Sequence, residues 1–148
     1  MKNTEKSQFG FLISDVARLL RWNFDRQAQG LGLTRAQWAV LAHLKRSDGV
    51  QQNSLARLMD IKPITLARHL DRLEAEGWVE RQNDPQDRRA KRVFLTSKAS
   101  PMLDSLANLG KKVREEALQG ISPADFDITV RTLELIKTNL SAANEGTE

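Results

Sequence analysis

The sequence predicts a mainly α-helical fold with a small β-hairpin wing, arranged as a winged helix-turn-helix. Three observations lead to this class. Apolar residues recur at helical spacing over most of the 148 residues. Two short amphipathic segments between Asn53 and Gly77 are separated by a tight turn. Two alternating apolar segments follow, joined by a charged loop. We expect one domain over residues 1–148, in which residues 34–96 form the winged lobe.

Composition excludes several classes of function. The chain has no cysteine, so disulfides, thiolate catalysis, thiolate metal sites and cysteine-based redox sensing are excluded within it. It shows no signal-peptide pattern and no run of eighteen apolar residues, so we expect a cytoplasmic protein without a membrane partner. A net charge of +4 suits a polyanionic partner but names none, because ribosomal proteins and membrane-surface helices are basic too.

A first helix is predicted from Gln8 to about Gln29, after a loose segment over residues 1–7. Its broad apolar stripe consists of Phe9, Leu12, Val16, Leu19 or Leu20, and Phe24. Phe11, Arg18 and Trp22 fall on a different side. Partial burial under a neighbouring helix and burial in a subunit interface explain these aromatic residues equally well.

The next helix begins with a capping box. In Thr34-Arg35-Ala36-Gln37 the threonine caps forward and the glutamine reaches back. The core face of this helix carries Val40, Leu41 and Leu44, with Trp38 at its edge. A core role for Trp38 is more common than a ligand-binding one. Residues 47–52 are expected to be a loop.

Two short helices then form the helix-turn-helix. Asn53 is expected to cap the first, and Asp60-Ile61 makes the turn. Pro63 suits the first position of the second helix and Gly77 the residue just past its end. Its buried stripe is Leu66, Leu70 and Leu73, which leaves Ile64, Thr65, Arg68, His69 and Arg72 outside. The motif reads DNA in many proteins, but it is also common helix packing.

The predicted wing joins strands at residues 78–81 and 92–96 through a turn at Asn83-Asp84-Pro85. From Arg81 to Lys98 there are six basic and two acidic residues, a net +4 that equals the charge of the whole chain. A charged hairpin tip is most often solvated surface. Its place directly after a helix-turn-helix favours contact with DNA, where Arg88 gains from a narrow minor groove and Asp87 braces its guanidinium.

Two helices complete the chain. Ser100-Pro101 predicts a helix that starts at Ser100 and ends near Gly120, and Ser122-Pro123 begins the last one. Their apolar faces close one core or pack with the first helix against a second subunit. Residues 141–148 are expected to be a disordered tail.

Four segments together resemble the multiple-antibiotic-resistance regulator (MarR) family. They are residues 33–41, residues 65–74, the Asp-Pro-Gln-Asp-Arg-Arg run at 84–89, and Val93-Phe94-Leu95-Thr96. The resemblance covers nearly all of the chain, and its wing motif is quite specific. It implies an obligate dimer of winged-helix transcription factors, with residues 8–30 and 100–141 as dimerisation helices. It also places Thr65 and Arg68 in the major groove and Arg88 in the minor groove.

The residues expected to bind DNA come from both helices of the motif and from the wing. They are Asn53, Ser54, Lys62, Pro63, Ile64, Thr65, Arg68, His69, Arg72, Asp87, Arg88, Arg89 and Lys91. Lys62 departs from the family pattern, which often has a capping serine there, so the helix loses a polar cap while gaining a charge for a phosphate. The resemblance also implies a small phenolic or aromatic carboxylate effector, for which we expect Arg18, Trp38 and His43 as lining residues. No cofactor or metal is expected.

These observations predict a sequence-specific regulator, dimeric on a palindromic operator, that represses transcription until a small aromatic effector releases it. A SlyA-like activator that displaces other proteins is the alternative, and a winged-helix protein-interaction module is a further one. An enzyme is disfavoured because His43 and His69, the two histidines, fall in no triad or metal-ligand spacing. The sequence also has no glycine-rich phosphate loop.

Overall fold

The structure is a computed structural model that describes residues 3–145, with side chains from residue 5 onward. Its helices are α1 (Asn3–Ser7), α2 (Phe9–Ala28), α3 (Arg35–Arg46), α4 (Gln52–Leu58), α5 (Pro63–Ala75), α6 (Ser100–Ala117) and α7 (Pro123–Glu145). Its strands are β1 (Val50–Gln51), β2 (Val79–Asn83) and β3 (Lys91–Leu95). Two 3-10 turns cover Gln29–Leu31 and Ser97–Ala99. The chain divides into two compact units, one ending at Val113 and one starting at Arg114.

The core of the first unit is formed by the apolar faces that the helical spacing predicted. α3, α4, α5 and the sheet each contribute, and their most deeply buried large side chains are Val40, Leu41, Leu44, Leu55, Leu66, Leu70, Leu73, Val79 and Val93. All of them are less than 2% exposed. Since burying one such side chain contributes roughly 1.5–3 kcal/mol, this cluster fixes the helix-turn-helix against the sheet.

The sheet has three antiparallel strands in the order β1-β3-β2. Val79 pairs with Leu95 and Asn83 with Lys91, so β2 and β3 form the predicted hairpin. The prediction of a plain loop over residues 47–52 is wrong, because Val50 and Gln51 form β1 and Val50 pairs with Val93 of β3. A strand of two residues is too short to show alternation, so only the tertiary pairing reveals it.

The start of α4 also differs from the prediction. The helix begins at Gln52, with Gln51 as its N-cap and no side-chain capping bond. Asn53 therefore lies inside the first turn and does not cap the helix. The reason is that β1 runs directly into α4, and the Gln51 amide is held by Asp84 across the sheet at 2.8 Å.

The other boundaries follow the sequence more closely. α6 starts at Ser100 as predicted, after the 3-10 turn. Residues 3–7, expected to be loose, form α1, whereas residues 1–2 lie outside the described part. The tail expectation is wrong for residues 141–145, which continue α7, and residues 146–148 lie outside the described part. Two alanines in that last turn favour the helix.

α2 exposes a continuous apolar stripe. Phe9, Leu12, Val16 and Leu19 are 44–64% exposed. On a second side Phe11 is 76% and Trp22 63% exposed. Contiguous apolar surface of this kind marks an interaction site. Within residues 3–145, no helix has the length and apolar character needed to cross a membrane.

Candidate nucleic-acid interface

The outer face of α5 is the first part of the candidate interface. Leu66, Leu70 and Leu73 point into the core, so the opposite side of the helix faces solvent. On that side Ile64 is 61% exposed, and Arg68 and Arg72 are exposed as well. Thr65 and His69 lie at the margin and are partly buried.

The amino end of α5 has no polar side-chain cap. Lys62 is the N-cap residue in an extended conformation, φ −68° and ψ 143°, and its side chain makes no capping bond. Pro63 occupies the first helical turn, as predicted. The loss of the cap expected at Lys62 is thus confirmed, and an exposed ammonium group stands at this end of the helix.

Arg81 fastens the wing to α5. Its Nη2 donates to Asp71 Oδ1 at 2.6 Å and to Glu74 Oε1 at 3.0 Å, and its backbone N–H donates to Glu74 Oε2 at 2.8 Å. The hydrogen bond from the Arg81 side chain holds the pKa of Glu74 below its ordinary value, and the Glu74 bond raises the pKa of Arg81. The first strand of the wing is therefore fixed to the carboxyl-terminal half of α5.

Asp84 ties the base of the wing to the rest of the sheet. Its side chain is 1% exposed and accepts from the Gln86 backbone N–H at 2.9 Å, from Gln51 Nε2 at 2.8 Å and from Arg92 Nε at 3.0 Å. The Gln86 and Gln51 bonds, with the Arg92 guanidinium, hold the pKa of this carboxyl below its usual range. Arg92 Nη1 also donates to the Gly49 carbonyl at 3.3 Å. The turn at the start of the wing is thus held by all three strands.

At the wing tip, Asp87 forms hydrogen bonds within the turn and none with the neighbouring arginine, Arg88. Its carboxylate accepts from the Arg89 backbone N–H at 2.9 Å, and its carbonyl accepts from the Ala90 N–H at 3.0 Å. The predicted brace from Asp87 to Arg88 is not formed. No carboxylate within residues 5–145 pairs with the guanidinium of Arg88 or Arg89. Both side chains are exposed, so their full charge is available to a partner.

These contacts pair some of the basic residues that make up the net charge of +4 counted for the wing. Arg81 and Arg92 are bound by carboxylates, and the Lys98 ammonium lies 4.7 Å from the Trp78 ring centroid and donates to the Glu76 carbonyl. Among the wing cations of the described chain, Arg88, Arg89 and Lys91 at the tip are thus the ones that contact neither a carboxylate nor an aromatic ring. Sequence reasoning missed Gln51 and Arg92 as positioning residues, because residues 41 positions apart meet only through strand pairing.

The remaining predicted DNA-contact residues lie next to the wing. Asn53 is exposed, and a small cleft of about 140 Å³ runs between the first turn of α4 and the wing residues Arg89 and Lys91. Lys91 Nζ donates to the Asn83 side-chain carbonyl at 2.6 Å. Ser54 is partly buried, and its hydroxyl accepts from Arg57 at 3.4 Å.

A second concavity, here called the groove, lies between α2, α3, the helix-turn-helix turn and α5. It has a volume of about 710 Å³ and is lined by Arg21, Arg35, Ala36, Trp38, Ala39, His43, Leu58, Met59, Asp60, Ile61 and His69. Two of the three predicted effector residues, Trp38 and His43, line it. His69, which we assigned to DNA contact, also lines it.

Arg18 does not reach the groove. It pairs with Asp15 on the exposed side of α2 at 3.4 Å, and its guanidinium carbon lies 6.0 Å from the Trp22 ring centroid. Arg21, which the sequence prediction missed, lines the groove instead. Helical spacing could have identified Arg21 as a candidate, because it lies three positions after Arg18 and therefore about 60° around the helix axis from it.

The walls of the groove are ordered by contacts between α2 and α3. Trp38 packs on Phe24 with ring centroids 4.5 Å apart, and its indole N–H donates to Asp25 Oδ1 at 2.5 Å. Burial, followed by the charge of Arg46, holds the pKa of His43 below its ordinary value, which favours the neutral imidazole. Six of the eleven lining residues are apolar and five are polar or charged, so the groove offers both an apolar wall and groups that can bind a polar substituent. Among residues 5–145 no group of three metal-ligating side chains occurs.

Comparison with known proteins agrees with this geometry. The sequence model of the MarR family matches residues 33–91. The crystal structure of transcriptional regulator PA3341 is similar with a TM-score of 0.81 and 37% identity, over 90% of this chain and 98% of that one. A MarR transcriptional regulator from Methanosarcina mazei Go1 has a TM-score of 0.78 and 28% identity, over 92% and 99% of the two chains. The transcriptional regulator SlyA has a TM-score of 0.78 and 26% identity, over 95% and 99%. The chain therefore belongs to the MarR family of DNA-binding transcriptional regulators and has their winged-helix fold.

Proposed function

We propose that this regulator binds a palindromic operator as a homodimer, with α5 in the major groove and the wing tip in the minor groove. The observation that carries the proposal is the pair of exposed arginines, Arg88 and Arg89, on a wing that Arg81 fastens to α5. A fixed wing supports sequence-dependent binding, because its arginines reach the minor groove only when α5 is correctly placed in the major groove.

The dimer is supported by the exposed stripe of α2. Side chains such as Leu12, at 64% exposed, and Val16, at 48%, form an apolar surface that a second copy would cover. Two recognition helices one helical turn apart then read a palindrome, because the two-fold axis of the protein matches that of the site.

We further propose that the protein is a repressor and that a small aromatic carboxylate bound in the groove releases it. Trp38 offers an aromatic wall, and Arg21 and Arg35 offer cationic groups. Such an effector releases DNA only if it binds the free form more tightly, and by linkage DNA then weakens its binding by the same factor. Equal effector affinities with and without operator would contradict this mechanism. A SlyA-like activator is distinguished from a repressor by the sign of the transcriptional change after deletion of the gene.

The test of DNA recognition is selection of genomic fragments by the purified protein, with Arg88→Ala beside it. Enrichment of a palindrome by the wild type, weakened in the variant, is expected. Arg46→Ala is the matched control, because it makes the same charge change at an exposed position of α3, outside the residues expected to bind DNA or to form the dimer. Failure of the folded wild type to bind any duplex would favour a protein-interaction module.

The salt dependence of DNA binding then shows whether Arg88 contacts a phosphate or reads the minor groove. If Arg88 neutralises one phosphate, Arg88→Ala lowers the slope of log affinity against log salt by about 0.9, and Arg46→Ala leaves it unchanged. If Arg88 enters the minor groove, its loss weakens binding most at A·T-rich flanks, where that groove is narrow. Equal affinities of Arg88→Ala and wild type would refute the wing contact.

A further inference from the structure

Asp25 stands at the junction between α2 and α3, directly behind the groove. Its Oδ2 accepts from Arg35 Nε at 2.5 Å, and its Oδ1 accepts from Trp38 Nε1 at 2.5 Å. Both donors line the groove, whereas Asp25 itself does not. Its side chain is 18% exposed and that of Arg35 is 55% exposed. One carboxylate thus holds the cation and the aromatic wall that an acidic ligand would use.

The carboxylate of Asp25 reduces the positive charge that the groove presents to an anionic ligand. Of the two arginines in the lining, Arg35 is already paired with an internal anion, and the lining also contains the carboxylate of Asp60. A ligand carboxylate bound to the groove side of Arg35 would share one guanidinium with Asp25. Two carboxylates this close repel each other, so binding requires that the ligand tolerate or displace the bond to Asp25.

We propose that Asp25 is an internal competitor for the effector: its carboxylate occupies Arg35 and so sets the concentration at which an aromatic acid binds in the groove. The inference rests on the proposed function, because it concerns the effector groove proposed above. Displacement of Asp25 from Arg35 loosens the tie between α2 and α3, because Trp38 is held by the same carboxylate. Ligand binding is thereby coupled to α2, the helix that exposes the apolar stripe.

The test is the affinity for benzoate and for benzamide, two probes of the same shape that differ in charge, in wild type and Asp25→Asn. The asparagine keeps an oxygen that accepts from Trp38 and removes the negative charge. Binding is followed through the indole N–H resonance of Trp38 in the full-length protein. Asp15→Asn is the matched control, because it removes a carboxylate paired with an arginine on the same helix but away from the groove. Asp25→Ser replaces the asparagine variant if that one does not fold.

The expected result is that Asp25→Asn binds benzoate roughly tenfold more tightly than wild type, with unchanged affinity for benzamide and no change in Asp15→Asn. Adding Arg35→Gln to the Asp25→Asn variant should abolish the gain. Equal or weaker benzoate binding in Asp25→Asn would overturn the proposal, since Asp25 would then merely orient Arg35. Absence of benzoate binding in every variant would overturn it too. The same samples are tested for duplex DNA binding, so that failure of the competitor is distinguished from failure of the proposed regulator.

Discussion

Replacing Gly49 by alanine should destabilise the protein through a contact that the sequence does not show. Gly49 lies just before β1 with φ +77°, and its backbone N–H donates to the Val93 carbonyl at 2.9 Å. A Cβ at this position would lie 2.8 Å from Cε1 and 3.3 Å from Cζ of Phe94. The first of these distances is too short for a carbon–carbon contact, so the ring or the strand must move.

Two effects add to give the magnitude. A left-handed conformation costs an alanine about 1–2 kcal/mol, and forcing a methyl group into packed surroundings costs typically 1–3 kcal/mol more. We therefore expect a loss of about 3 kcal/mol in the free energy of unfolding, which corresponds to a fall in Tm of roughly 6–12 °C for a chain of this size. Gly32→Ala separates the two effects, because Gly32 has φ +74° and no atom within 4 Å of its added Cβ. That variant should lose only the conformational part.

Thermal and urea unfolding of the two alanine variants provide the assay, and Phe94→Leu provides a rescue. The smaller side chain removes the ring atoms that the new methyl group meets, so Gly49→Ala should cost less in that background. A double-mutant cycle would give a coupling of about 1–2 kcal/mol between the two positions. Equal destabilisation by Gly49→Ala and Gly32→Ala, with no coupling to Phe94, would refute the reasoning.

Two further predictions concern α5. Lys62→Ser should make the protein more stable than Lys62→Ala by about 1 kcal/mol, because serine supplies the missing N-cap; equal Tm values would show that the cap has no effect here. Glu74→Gln should lower stability near neutral pH, since the folded pKa of Glu74 is depressed by Arg81. That stabilisation is fully present above the unfolded pKa of about 4.3 and is lost as the pH falls through the folded value. The Tm difference between wild type and Glu74→Gln should therefore shrink below that pH, and a difference independent of pH would contradict the ion pair as its cause.

The local predictions were the most accurate. The Thr34 capping box, the Pro63 start of α5 and the Ser100 start of α6 each depend on residues within a few positions, and the structure confirms all three. Two of the errors have a common origin. β1 and the uncapped start of α4 follow from pairing with β3, which is more than 40 residues away along the chain. Arg18 was expected in the groove, but the pitch of α2 brings Arg21 there instead.

By itself, the sequence determined the fold class, the buried faces of the helices and the basic wing, because periodicity, caps and turn residues act over short distances. Only the tertiary structure decided which charges remain available. Pairing of Arg81 with Asp71 and Glu74, of Arg92 with Asp84, and of Arg35 with Asp25 joins residues from separate elements. A charge acts on a partner molecule according to the groups around it in space, and those are set by packing and not by position along the chain.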